Sequence, residues 1–397
     1  MSDKKVIYSS ILLFHTLFVY LDDGSGIGRK IQSVCMLFFA LLIFGKISIL
    51  KWNRFAKFNV LIYAYIVTIL ITSFLAKDID ITYLSQFYLE GGLEYKASSY
   101  TLGIFISIAF LLMTVFCEYV NSIGKEKLVL NTFFKLSLFY CFISDVAFLV
   151  GFQLNSEGFI IGNKFTLSYL HMLCAVLYWT KALLYGGKKK YVYGLILLAA
   201  AVSFVSTCTT AVLGCLVILG CYTCQSFFYK KVIYKKKVVA LVLFLCCTIL
   251  IFFSSILGNE YVKFVIVDVL GEDPTLTGRT GIYELLGFVL PLRPWWGWGV
   301  GNAHSIMAYF FGAANAQNGM LNLVLEQGII GCIFFLLLLF KSIAMQSKNP
   351  LKPYSYPILS LVFSFIILSC VEVTLDYTLI SYLLFLTMLY KPVSSRQ

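Results

Sequence analysis

The residues able to do chemistry are few, and they lie near the ends of long apolar runs: Asn163 and Lys164, the Thr207 to Thr210 run, Arg279, Arg293, His304, Gln317, Asn318 and Glu326. Polar groups at membrane depth are costly and by default suggest function. Arg279 stands in TLTGRTG at the head of an apolar segment. A guanidinium at a helix start, beside exposed amide N–H groups, makes an anion site of bidentate donors and an electropositive terminus. A lipid-linked pyrophosphate is an anion found at that depth; the competing reading is an arginine snorkelling to a headgroup. Lys164, in IIGNKF just before an apolar run, has the same two readings, and Asn163 and Arg293 join it as candidate substrate contacts. His304 falls in the glycine-rich stretch PWWGWGVGNAH. There an imidazole with a pKa near ~6.5 is either a base toward a hydroxyl or a solvated loop residue. Gln317 and Asn318 stand at the entrance to the next apolar run, and amides suit hydroxyl-rich ligands because each donates and accepts. Glu326, about two turns further on, is either a buried hydrogen-bonded acid or a proton acceptor. His15 and His171 lie inside apolar runs and read as helix contacts.

Other chemistries lack their residues. There is no phosphate-cradling P-loop, no GxSxG, no HExxH and no nucleotide-binding domain, so an ATP-driven pump would need its engine on another chain. Cys221 and Cys224 have redox or zinc spacing, but no second pair or histidine cluster accompanies them. No metal and no other cofactor is expected. Eleven of the twelve cysteines lie within apolar stretches, where cysteine behaves as a small hydrophobe, and no disulfide framework is expected.

The elements that must position these residues follow from hydropathy. The chain has 397 residues, 60% hydrophobic and 13% charged, with a mean hydropathy of +0.88. Soluble domains are about 45–50% apolar and about 25% charged, so an ordinary soluble enzyme is excluded. A helical span takes about 20 apolar residues. The runs predict an all-α, polytopic membrane protein of about twelve transmembrane helices, forming a single domain over 1–397. The predicted spans are 6–21, 31–50, 58–76, 100–122, 128–150, 165–185, 191–206, 210–228, 238–258, 319–340, 354–371 and 376–390. Lys4 and Lys5 precede the first run as in a signal peptide, but no small-residue cleavage site follows, and a retained first span is expected.

The net charge of +12 raises the question of nucleic acid in a soluble protein; here it reads as topology. Placing the N-terminus in the cytoplasm puts 22 of the 31 lysines and arginines on the inside and eight outside, as the positive-inside rule requires. Both termini are therefore assigned to the cytoplasm. Fourteen acids fall outside, including Asp22, Asp23, Asp78, Asp80, Glu90, Glu94, Asp268, Glu272 and Asp273.

The one long connection, 259–318, is extracytoplasmic, and long loops tend to be functional. Within it, Arg279 to Leu292 is apolar but too short to cross, and reads as an interfacial helix reached through Pro274 and Gly278. Trp295, Trp296 and Trp298 read as headgroup-level anchors, with sugar stacking as the other reading. The loop at about 77–99 is the other sizeable outer one.

The order TGRTGIYELL, then P-x-x-G-x-G-x-G, then AQNGMLNLVLEQGIIG leading into a span resembles the O-antigen ligase and Wzy-type polymerase superfamily. GNKFTLSYLHML and FVSTCTTAVLG resemble stretches of Gram-positive capsular polysaccharide polymerases; the likeness covers about 160–340. It implies a glycosyltransferase in a bacterial plasma membrane. The donor would be an undecaprenyl-pyrophosphate-linked oligosaccharide, and its glycan would pass to a lipid-linked repeat-unit acceptor on the outer face. A flippase and a chain-length regulator are the implied partners, along with membrane lipid and no nucleic acid. Arg279 matches the arginine that holds the donor pyrophosphate in the family. Many relatives carry a histidine before the asparagine at the start of the following span; Gln317 stands there instead, which makes His304 the substitute base. A second family arginine near the eighth span is replaced by Thr209 and Thr210, and Lys164 is able to supply that charge. The alternatives are a polysaccharide or O-antigen ligase and, from another class, a lipid-linked oligosaccharide flippase, which would show cation-lined helices and two related halves.

Overall fold

Long apolar runs satisfy their own backbone only as helices when water is absent, and every regular element among the described residues is a helix. The computed structural model describes residues 2–19, 27–49, 52–77, 100–151, 159–253, 279–311, 315–349 and 352–390. The 78–99 part of the second predicted loop lies outside these residues. So do 254–278, with Pro274, Gly278 and the TLTG leader, and the nine acids named above.

Fourteen helices follow in order. The first nine are α1 (Asp3–Leu17), α2 (Ile27–Ile43), α3 (Trp52–Leu75), α4 (Tyr100–Ile123), α5 (Glu126–Leu149), α6 (Lys164–Tyr185), α7 (Lys189–Val205), α8 (Thr209–Thr223) and α9 (Lys236–Phe253). Then come α10 (Arg279–Val289), α11 (Asn302–Phe311), α12 (Gly319–Ser347), α13 (Lys352–Leu368) and α14 (Tyr377–Met388). Each of the twelve predicted spans falls on one of these helices, and α10 and α11 belong to the long predicted loop. Six helical stretches are long and apolar enough to cross a membrane: Ile27–Lys46, Phe58–Leu75, Tyr100–Ile123, Glu126–Leu149, Lys164–Tyr185 and Gly319–Ser347. A seventh is added if α8 and the segment after it, Gln225–Val232, bent by 82° from it, count as one span. This is the architecture of a polytopic membrane protein.

One continuous core joins the bundle. α6 packs against α5, α7 and α13, α12 against α3, and α14 against α4. Small residues permit the closest approaches, as is common where helices meet in an apolar medium. A Cβ at Gly214 of α8 would lie 2.7 Å from Met172 and 2.9 Å from Leu368. Buried polar side chains are used to lock helix pairs: His171 of α6 to Asp145 of α5 at 3.0 Å, His15 of α1 to Tyr140 of α5, and Asn59 of α3 to Glu118 of α4. The two histidines expected to be helix contacts are so placed.

The C-terminal carbonyls of α14 show the same economy. Asn121 donates to Met388 at 2.8 Å and Tyr390 at 2.7 Å, Gln346 to Leu386 at 2.9 Å, and Asn349 to Leu389 at 3.0 Å. The last turn of a helix leaves its carbonyls without intrahelical donors, and three amides from α4, α12 and the residues just after it supply them.

Candidate functional site

A break in α12 brings some of the candidate residues together, while Asn163 and Lys164 lie at the start of α6 with partners of their own. Gly328 has φ 67° and ψ −174° inside the helix. An intact helix would pair the Ile329 N–H with the Leu325 carbonyl and the Ile330 N–H with the Glu326 carbonyl. Instead, the glycine-rich stretch fills the break. The Leu325 carbonyl accepts from the Trp298 N–H and the Glu326 carbonyl from the Gly299 N–H, both at 2.8 Å. Ile329 N–H donates to Pro294 at 2.8 Å and Ile330 N–H to Trp295 at 3.2 Å. Two intrahelical bonds are thus replaced by four bonds to a segment about thirty residues earlier. Contact is so close that a Cβ at Gly297 would lie 2.6 Å from the Glu326 carbonyl carbon and the Gly328 nitrogen. A Cβ at Gly328 would overlap the Trp295 carbonyl.

A small second core holds this wedge in place. In α10, Ile282, Leu285, Leu286 and Val289 are buried at helical spacing while Phe288 is exposed, so a helix stands where one was predicted, and it is amphipathic. It ends at Val289 and passes through a 3₁₀ turn, Leu290–Leu292. Its buried face packs on Trp298, Ile306, Met307 and Leu325. Here the expectation for Trp298 is overturned: it is 1% exposed and its Nε1 donates to the Val289 carbonyl at 3.2 Å. It is a core residue and not a headgroup anchor, because an indole whose N–H finds a carbonyl can be fully buried. Trp295 is 60% exposed.

Glu326 sits at the junction. Its carboxylate accepts from the Gly301 N–H at 3.0 Å, with the Ala303 amide and the Asn322 side chain as further donors. Those backbone groups lead into α11, the helix that carries His304, so Glu326 ties α12 to the start of α11. Of the two sequence readings, the structure favours the hydrogen-bonded acid. His304 is exposed on α11. Arg293 lies over the Trp298 ring at 5.5 Å and donates to the Leu75 carbonyl at the end of α3 at 3.3 Å. Arg279 is the first residue of α10; its side chain lies outside the described residues.

Two of the predicted substrate contacts have local duties. Asn318 caps α12, its Oδ1 accepting from Met320 and Leu321 at 3.1 Å each. Asn163 caps α6 in the same way, accepting from Phe165 and Thr166. Asparagine is favoured at that position because its side chain satisfies an otherwise unpaired N–H. The Asn318 side chain is fully buried, and its Nδ2 has no partner among the described residues. Lys164 opens α6 and donates to the Thr207 carbonyl at 3.3 Å. Thr207 and Gln317 are the non-glycine residues with positive φ, 56° and 48°, among those described. Such backbone strain gathers at functional sites, and both residues lie in stretches singled out from the sequence.

Sequence reasoning missed the acidic side of this end. Glu372 accepts from Asn315 at 3.2 Å, and Asp376 caps α14 through Thr378 and Leu379. The Gly319 N–H, at the start of α12, donates to Ser369 in the same connection. Acids next to an apolar run carry no spacing signal of their own, so only the packing of 369–376 on α12 brings them to the site. Among the described residues no three His, Cys, Asp or Glu side chains lie close enough to hold a metal ion.

Compared with protein-family models and with curated proteins, the chain matches none.

Proposed function

We propose that this protein is a capsular polysaccharide repeat-unit polymerase, moving glycan from an undecaprenyl-pyrophosphate donor to a lipid-linked acceptor at the outer face of a bacterial plasma membrane. The carrying observation is the wedge at Gly328, which joins the stretch after Arg293 and the helix that carries His304 to α12, with α10 packed on the same small core. Twelve spans with both termini in the cytoplasm would put that end outside, where the donor is.

In this reading the acceptor hydroxyl oxygen bonds to the anomeric carbon as the bond from that carbon to the pyrophosphate oxygen breaks. The electron pair leaves with the lipid pyrophosphate, and the hydroxyl proton passes to His304. Arg279, beside the unpaired N–H groups of the first turn of α10, stabilises the charge growing on the leaving group, the role expected of a fixed cation. Glu326 is engaged by backbone donors, and His304 is exposed on α11. Lys164 and Arg293 add positive charge at the same end.

The test is purified full-length protein with lipid-linked repeat units, read as a product ladder on a gel. Wild type should give the ladder; Arg279→Ala should lower the rate by about 100-fold or more, in the range of losing one electrostatic stabiliser. A wild type that moves labelled lipid across vesicles without forming bonds would establish the flippase instead. Transfer of a preassembled chain to an unrelated acceptor, with no ladder, would establish the ligase.

A further inference from the structure

The opposite chemistry gathers where α6, α7, α8, α9 and α13 end or begin. Between Glu157 and Glu260 the sequence has ten lysines and no aspartate or glutamate. Eight of them, Lys188, Lys189, Lys190, Lys230, Lys231, Lys235, Lys236 and Lys237, are exposed. Among the described residues the ion pairs are Lys125 with Asp3 and His171 with Asp145, so none of the eight has a carboxylate partner. Lys189 and Lys236 each open a helix, and neither first turn carries an acid. Cations at a helix N-terminus oppose the helix dipole, so this face collects positive charge that no carboxylate among the described residues neutralises.

The lysines are held on a rigid aromatic frame. The segment after α8 turns by 82°, and the Cys221 carbonyl near that turn accepts from the Tyr356 hydroxyl at 2.7 Å. Tyr356 packs edge-on against Trp179 and Tyr229, each at 5.3 Å. Tyr222 touches Trp179 and donates to the Lys189 carbonyl at 3.2 Å. The two lysine groups, before α7 and between α8 and α9, are thereby tied to one scaffold. The segment lying across the axis of α8 leaves Phe227 exposed, the geometry of a stretch that rests along a membrane surface.

We propose that this face binds the headgroups of anionic phospholipids. Charge and depth together choose that occupant: a dense, unpaired lysine cluster beside apolar helices fits phosphate groups arrayed at the membrane surface, and such clusters favour anionic lipid. The proposal does not depend on the reaction at the other end of the bundle.

The test is native mass spectrometry of the detergent-purified full chain, titrated with phosphatidylglycerol or phosphatidylcholine of identical acyl chains. Wild type should retain phosphatidylglycerol about tenfold better, and the preference should fall as salt rises. Replacing Lys230 and Lys231 together by Gln should lower it roughly two- to fivefold in all. The Lys→Arg versions keep the charge and should keep the preference, which separates lost binding from lost folding. Lys30→Gln, in α2, should change nothing. Equal retention of the two lipids by wild type, or an unchanged preference in K230Q/K231Q, overturns the proposal. So does a poly-glutamate peptide binding this face at physiological salt while phosphatidylglycerol shows no advantage, since the occupant would then be an acidic protein segment.

Discussion

At Gly328 the chain takes φ 67° and ψ −174°, a region open in practice to glycine, and the space a Cβ would need is filled by the Trp295 carbonyl. Gly328→Ala is therefore expected to destabilise the protein by about 3 kcal/mol through strain and overlap together, measured by thermal unfolding in detergent. Gly287 is the contrast: it is exposed in α10 with nothing within 4 Å of a Cβ. Gly287→Ala should stabilise by about 0.5–1 kcal/mol by removing backbone freedom from the unfolded chain. For Glu326 the two substitutions separate shape from charge. Glu326→Gln keeps an acceptor for the Gly301 N–H and should unfold near wild type, whereas Glu326→Ala leaves that donor without its partner and should cost about 2 kcal/mol.

Among the elements, α14 depends on donors it does not own. Its final carbonyls are met by Asn121, Gln346 and Asn349, so Asn121→Leu, similar in size but without donors, should cost about 1–3 kcal/mol and expose the C-terminal turn to proteolysis. A melting temperature unchanged within error would refute that account of the helix end. α10 and α11 are a different kind of element, too short to cross and fixed by the wedge and the second core. The sequence makes α10 legible through its apolar composition and length, but α11 reads as loop: its ten residues sit among glycines, and its start depends on an acceptor from α12. The helix break was equally hidden. Gly328 lies in an apolar run where a glycine usually signifies only a close helix contact, and nothing local says that a segment thirty residues earlier will take over its hydrogen bonds.

For the molecule as a whole, the two ends differ in charge, and the proposed topology puts the lysine face in the cytoplasm and the wedge outside. Cys224 is the exposed one of twelve free cysteines and lies on the lysine face. A membrane-impermeant maleimide should label it in inverted vesicles but not in intact cells. In a Cys224→Ser background, His304→Cys should show the reverse. Labelling of both from one side would invalidate the topology and, with it, an outer-face reaction.

What the sequence determined by itself was the all-helical, membrane-embedded class, the places of the apolar helices, and the stretches where the unusual polar residues fall. These follow from run length and composition, which each segment carries within itself. The tertiary structure decided the rest: that Trp298 is core, that Glu326 holds the start of α11, that Asn163 and Asn318 are caps, and that α12 opens to admit the loop. Each of these is a choice of hydrogen-bond partner between segments. In an apolar medium every backbone donor and acceptor must find one, but which one it finds depends on what the folded chain brings within about 3 Å.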